Sequence, residues 1–307
     1  MRPGSTALGS VHLLTDEEQR QWHEDGYLHI RGAIPGDQVS SLADALSGLQ
    51  EKFAEGLADK AFWCDVFDAG NNQDLSIARG IKWVPQIARL FDHPGAFGKI
   101  LGTMGPYIQV LGSELFFRYP SAKPLVDFHT DIGPSLRNAA PAGNRQIQIK
   151  AQFFLTDTLE HDHGNFTVVP GSHRMDFPGK IRYRDVDKPV QILAGAGDVV
   201  LFPLSLGHGV APNEGGGMRV SVIVRYGQLF CRPVDFWTTP DAGILDQFTP
   251  RQRRLLGDLG SHSQPADFYG AKPDHLLLMY GDEWSGTAEA QADFALAQAA
   301  QQAYEDR

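Results

Sequence analysis

The spacing of apolar positions divides the chain into three textures. From Leu14 to Met104 the pattern is mainly helical. Thr15 stands three residues before Glu18, the spacing of a capping box, and the helix it opens runs through Trp22 to a stop at Gly26. Tyr27-Leu28-His29-Ile30 alternates as a short strand. Ile34-Pro35-Gly36-Asp37 then opens a second helix, with Val39, Leu42, Ala43, Leu46 and Leu49 at helical spacing. Phe62 to Gly80 carries no clear period and predicts a loop. Residues 86–104 predict helical pieces broken at His93-Pro94-Gly95.

After Pro106 the pattern changes to short apolar or alternating runs separated by Gly, Pro and Asn: Tyr107–Val110, Glu114–Tyr119, Gln146–Leu155, Asn165–Val169, Val190–Leu193, Asp198–Phe202 and Met218–Tyr226. Many short strands at close spacing predict a sandwich or closed sheet. The last third is helical again, with Pro250 at the first position of one helix, a short piece from Asp274 to Tyr280, and an Ala/Gln-rich helix over Thr287–Tyr304. No repeat or linker interrupts the chain. The expectation is one domain over 1–307, with a β core at about 107–230 and helical flanks at 14–104 and 240–305.

Composition narrows the class. The 307 residues are 42% hydrophobic and 21% charged, enough for a core, and the net charge of −10 argues against nucleic acid or an anionic membrane as partner. No apolar run is long enough for a membrane helix, and the first residues lack an apolar signal core, so a cytoplasmic protein is expected. Cys64 and Cys231 alone make neither a disulfide framework nor a zinc site. The expected partner is a small molecule, acting on a monomer or homodimer.

The chemistry concentrates in Asp127-Phe128-His129-Thr130-Asp131-Ile132-Gly133. In an extended segment His129 and Asp131 point the same way, because strand side chains alternate with period two. An imidazole and a carboxylate converging on one point are two of the three ligands of a facial triad for Fe(II). His208, just beyond the strand Asp198–Phe202, supplies the third. Arg219 stands near the start of an apolar strand, where a buried guanidinium needs an anion. Ser221, two residues on, shares its face. A carboxylate suits that arginine fork. Together these residues describe Fe(II) held by His129, Asp131 and His208, with a dicarboxylic 2-oxo acid anchored at its far end by Arg219 and Ser221.

Longer motifs add a family resemblance. The segments are Leu14–Gly32, with Asp25-Gly26-Tyr27-Leu28; Gly164-Asn165-Phe166-Thr167-Val168-Val169-Pro170-Gly171-Ser172-His173-Arg174; and Gly197-Asp198-Val199-Val200-Leu201-Phe202 followed by His208, Asn213 and Arg219. Over Leu14 to Tyr226 the chain resembles the phytanoyl-CoA dioxygenase family of Fe(II)/2-oxoglutarate-dependent oxygenases. The resemblance implies a mainly β fold with flanking helices, its core a double-stranded β-helix (a cupin-like jelly roll). It also implies Fe(II) and O2 as cofactors and 2-oxoglutarate as co-substrate. His129, Asp131 and His208 fall on the family's metal positions and Arg219 on its co-substrate anchor. Phe153 falls where an aromatic lines the 2-oxoglutarate pocket. Lys82, ahead of Arg79, falls where some members recruit a second cationic contact. His173 is read as structural, within the Pro-Gly-Ser-His turn.

The expected reaction is hydroxylation, with oxidative ring closure, desaturation or epoxidation open, and release of succinate and CO2. Asp131 argues against halogenation, since halogenating relatives carry a small residue there. No basic cluster suggests a CoA handle, so a small polar metabolite or natural-product intermediate, sugar-containing ones included, fits better. Phe116, Arg118, Trp83 and Trp237 are candidate pocket residues, and 134–145 a candidate lid. The rival readings are a cupin-type metal enzyme that uses no 2-oxo acid, and a non-catalytic jelly-roll binding module.

Overall fold

The capping box forms as spaced: Thr15 Oγ1 accepts from the Glu18 backbone N–H at 3.2 Å, and Glu18 Oε2 accepts from the Thr15 N–H at 2.8 Å. It starts helix α1 (Asp16–Glu24), which is followed by strand β1 (Leu28–Ile30) and helix α2 (Gly36–Leu46). The computed structural model describes residues 11–49, 64–68, 73–139, 147–234, 242–260, 263–264 and 266–305. Residues 1–10, the part of the candidate lid beyond 139, and Trp237 lie outside those residues.

The loop expected from Phe62 to Gly80 is instead partly a hairpin. Strands β2 (Cys64–Asp68) and β3 (Gln73–Ala78) pair antiparallel, and β3 joins the main sheet. Leu75 and Ile77 are buried while Ser76 and Ala78 are half-buried, an alternation too short to stand out against its surroundings. A helical turn α3 (Gly80–Trp83) and helix α4 (Pro94–Met104) complete the first section.

The remaining strands are β4 (Ile108–Arg118), β5 (Val126–His129), β6 (Gln148–Phe154), β7 (Phe166–Val168), β8 (Lys180–Ile181), β9 (Val190–Gln191), β10 (Val199–Pro203), β11 (His208–Val210) and β12 (Arg219–Gln228). A short helix, α5 (Pro134–Ala139), lies between β5 and β6. The strands make two antiparallel sheets, one of seven strands in the order β1-β10-β6-β12-β4-β3-β2 and one of five in the order β8-β5-β11-β7-β9. The fold is the expected jelly roll with flanking helices. Its larger sheet also recruits β1, the short strand expected at Tyr27–Ile30, and β2 and β3 from the segment expected to be a loop.

Period two assigns the two faces of the large sheet. Ile149, Ala151 and Phe153 of β6, and Val220, Val222, Val224 and Tyr226 of β12, pack in one core with α2, α4 and the C-terminal helices. The buried Tyr226 hydroxyl donates to the Phe91 carbonyl at 2.9 Å, tying that helical layer to the sheet. The opposite face carries Phe154, Val200 and Phe202, which pack against Phe166 and Val168 of the small sheet. The C-terminal section comprises α6 (Ala242–Leu245), α7 (Pro250–Leu255), α8 (Asp267–Gly270), α9 (His275–Trp284) and α10 (Ala288–Glu305). Among the described residues no helix is long and apolar enough to cross a membrane.

Candidate metal centre

Two neighbouring strands of the small sheet set the centre. His129 ends β5 and His208 begins β11, and the two are directly opposed partners in the antiparallel pair. Asp131 lies just past β5, where its N–H donates to the Leu204 carbonyl at 2.9 Å. One ligating atom from each of His129, Asp131 and His208 lies within 4.8 Å of the others.

Both imidazoles are oriented by their own chain. His129 Nδ1 lies 3.0 Å from the Asp127 carbonyl, and His208 Nδ1 lies 2.9 Å from the Leu206 carbonyl. A carbonyl only accepts, so each Nδ1 carries a proton, which leaves Nε2 as the nitrogen each ring can offer to a metal. Those Nε2 atoms stand 3.7 and 3.4 Å from the Asp131 oxygens. Burial pushes the His208 imidazole down to about 4, against the pull of Asp131. Burial alone would raise the Asp131 carboxyl, but the Lys150 ammonium beside it, with smaller contributions from the two histidine rings, holds it well below the usual carboxylate range. A neutral His208 imidazole and the His129 ring beside an ionised carboxylate form a donor set that suits Fe(II) or another divalent ion.

The centre opens into a cavity of about 1150 Å³ between the sheets. Arg219 lines it, buried, with Nη1 donating to the Gly164 carbonyl at 3.0 Å. Its partner across β4 is Arg118, also buried and lining the cavity, with its guanidinium 4.7 Å from the centre of the Phe116 ring. Ser221 is fully buried, its hydroxyl accepting from Gln152 Nε2 at 3.1 Å. The Gln152 carbonyl oxygen is buried and has no hydrogen-bond partner among the described residues, although Gln152 lines the cavity.

Two expectations are corrected. Phe153 faces the helical core, not the cavity, because β6 presents Lys150 and Gln152 on its cavity side and odd-numbered residues on the other. Lys82 is exposed on α3 and does not line the cavity, whereas Arg79, expected to rank behind it, does. Of the other pocket candidates, Phe116 and Arg118 line the cavity, while Trp83 packs against the helical core. His173 is buried, with Nε2 3.2 Å from the His23 carbonyl, a contact joining its turn to α1.

One residue escaped sequence reasoning. Lys150 is buried, with Nζ 2.9 Å from Asp131 Oδ2 and 3.8 Å from Glu114 Oε2. The available signal was the polar stripe Gln148, Lys150 and Gln152 on an otherwise apolar strand.

The family model for phytanoyl-CoA dioxygenase matches residues 22–221. Dioxygenase FUM3 of Gibberella moniliformis is 25% identical over 279 residues, covering 83% of this chain and 86% of that protein. Among solved structures, HygX from Streptomyces hygroscopicus with nickel and 2-oxoglutarate bound has a TM-score of 0.57 at 18% identity, covering 72% of this chain and 89% of that one. The non-heme alpha ketoglutarate dependent epimerase SnoN from nogalamycin biosynthesis has a TM-score of 0.53 at 20% identity, covering 80% and 90%. These two likenesses share the fold. The chain belongs to the phytanoyl-CoA dioxygenase family and is a 2-oxoglutarate-dependent dioxygenase.

Proposed function

We propose that the cavity hydroxylates a small polar metabolite or natural-product intermediate, sugar-containing molecules included, with oxidative ring closure as the variant outcome. His129, Asp131 and His208 hold the Fe(II), and Arg219 takes the far carboxylate of 2-oxoglutarate with Ser221 beside it. The observation that carries this reading is the pair of backbone-oriented imidazoles facing an ionised carboxylate, in the cavity that Arg219 also lines. With Fe(II) bound there, O2 would be the four-electron oxidant, two electrons coming from the oxidative decarboxylation of 2-oxoglutarate to succinate and CO2 and two from the substrate.

The chain's own residues position and shield. The carbonyls of Asp127 and Leu206 fix which nitrogen each imidazole offers, and Phe166 and Phe202 flank His208 with ring centroids 5.5 and 5.0 Å away. That apolar side limits water, while Asp131 fills the position a halide would need. SnoN, from nogalamycin biosynthesis, and HygX, solved with hygromycin B bound, support a natural-product substrate by analogy of fold.

The test is succinate release with Fe(II), ascorbate and 2-oxoglutarate across a metabolite library. Stimulation by one compound, accompanied by its gain of one oxygen or loss of two hydrogens, is expected. Turnover of a compound without succinate would overturn the 2-oxoglutarate assignment in favour of a metal enzyme that uses no 2-oxo acid.

A further inference from the structure

The cavity carries more positive charge than the proposed chemistry uses. Its lining includes six basic side chains, Arg79, Arg118, Lys150, Lys180, Arg219 and Arg225. Against them, among the described residues, stand only Glu114, Asp127 and Asp131. This excess sits in a chain of net charge −10. A divalent metal and a doubly charged 2-oxo acid bring charges that cancel, so loading the site leaves the excess in place.

Most of these cations are engaged. Lys150 holds Asp131 and faces Glu114, Lys180 stands 3.9 Å from Asp127, and Arg219 binds the Gly164 carbonyl. Arg79 and Arg118 have partners of their own. Arg225 differs: it is half-buried in the cavity wall and makes no hydrogen bond or ion pair among the described residues. Its neighbour on β4 is Gly112, which leaves it uncovered by a side chain on that flank. Its neighbour on β6 is Lys150, whose ammonium is turned to Asp131. Arg225 lies six residues beyond Arg219 on the same strand face, about 20 Å along the wall at ordinary strand rise. The two arginines therefore serve opposite ends of the cavity.

A guanidinium kept partly out of water without a partner is costly, and its planar fork suits a carboxylate or phosphate. We propose that Arg225 is the anchor of the substrate, and that the substrate is an organic anion whose carboxylate or phosphate monoester docks on it while the carbon to be oxidised faces the metal centre. This rests on the Fe(II)/2-oxoglutarate reading of the same cavity and narrows it.

The test uses protein loaded with Ni(II) and 2-oxoglutarate, with binding of both measured first. Hexanoate and hexyl phosphate are then titrated by calorimetry, beside their neutral counterparts methyl hexanoate and hexanol. At least one anion is expected to bind tenfold or more tightly than its counterpart, and the tighter anion identifies the acid. R225A should remove that preference while keeping 2-oxoglutarate affinity within twofold. R225Q, which retains much of the side-chain stem, serves if R225A does not fold. Three results would overturn the proposal: no preference for anions in the wild type, an R225A variant that keeps the preference, or an R225A variant that loses 2-oxoglutarate. Failure of the wild type to take Ni(II) and 2-oxoglutarate would refute the functional reading instead. The same titrations on metal-free protein, wild type against R225A, would then still decide whether Arg225 binds the anion.

Discussion

Lys150 offers the sharpest test of the centre's electrostatics. Its ammonium stands 2.9 Å from Asp131 Oδ2 and is 7% exposed, while the Asp131 side chain is 17% exposed. Lys150→Met keeps the apolar stem and deletes the charge. Breaking a buried ion pair by removing one partner costs about 3–5 kcal/mol, and the residual exposure of Asp131 lowers this to about 2–3 kcal/mol. That loss should appear in metal-stripped protein as a lower urea midpoint. A divalent ion at His129, Asp131 and His208 would restore a positive partner to the carboxylate, so saturating Ni(II) should recover most of the loss. Linkage then requires the variant to bind Ni(II) more tightly than the wild type, since the ion stabilises it more. A gain of about 2 kcal/mol corresponds to about 30-fold in affinity. Equal displacement of the midpoint with and without Ni(II), or weaker Ni(II) binding by the variant, would refute the reading of Lys150 as the counter-charge that a metal replaces.

Arg219→Ala should weaken 2-oxoglutarate binding by about 30- to 100-fold, the worth of a charge-assisted pair, and leave Ni(II) affinity unchanged in calorimetry. Unaltered 2-oxoglutarate affinity would remove Arg219 from the anchor. His208, pushed down to about 4 by burial, makes metal-free protein acid-sensitive: the unfolded chain takes up its proton near 6.5, so this contribution is complete above that pH and is lost as pH falls toward 4. The loss is up to about 3 kcal/mol, and burial of His173 and His275 acts with the same sign. Urea midpoints that do not change between pH 7 and pH 5 would contradict it. Gly26→Ala should destabilise by about 2 kcal/mol or more, because Gly26 has φ +84° and an added Cβ would land on the His173 imidazole. A wild-type melting temperature would show that the turn can yield.

Residue parity explains what the sequence could disclose. His129 and Asp131 share a direction because they are two apart, and Arg219 and Ser221 share a face for the same reason, so both pairs were legible from spacing. Phe153 failed on that rule: β6 was recognisable, but which face held the cavity was not, and one residue of parity decided it. Arg79 against Lys82 turned on a helical turn after β3, a strand whose Leu75 and Ile77 are too few to announce it. Lys150 was hidden for another reason. Its partner Asp131 lies beyond a different strand in the other sheet, and only the closed roll brings them together.

The opposition of His129 and His208 across β5 and β11 also bears on how the chain folds. Roughly 80 residues separate them, so the pairing closes a long loop, and such non-local contacts are slow to form. A metal ion spanning both imidazoles would act as a removable staple across that loop. An ion held by the folded roll and released on unfolding would stabilise it by mass action, by about 4 kcal/mol when the free ion is at about 1,000 times its Kd. Iron supply would then govern not only turnover but also how long the smaller sheet stays closed, and loss of the ion would favour opening of the β5–β11 seam.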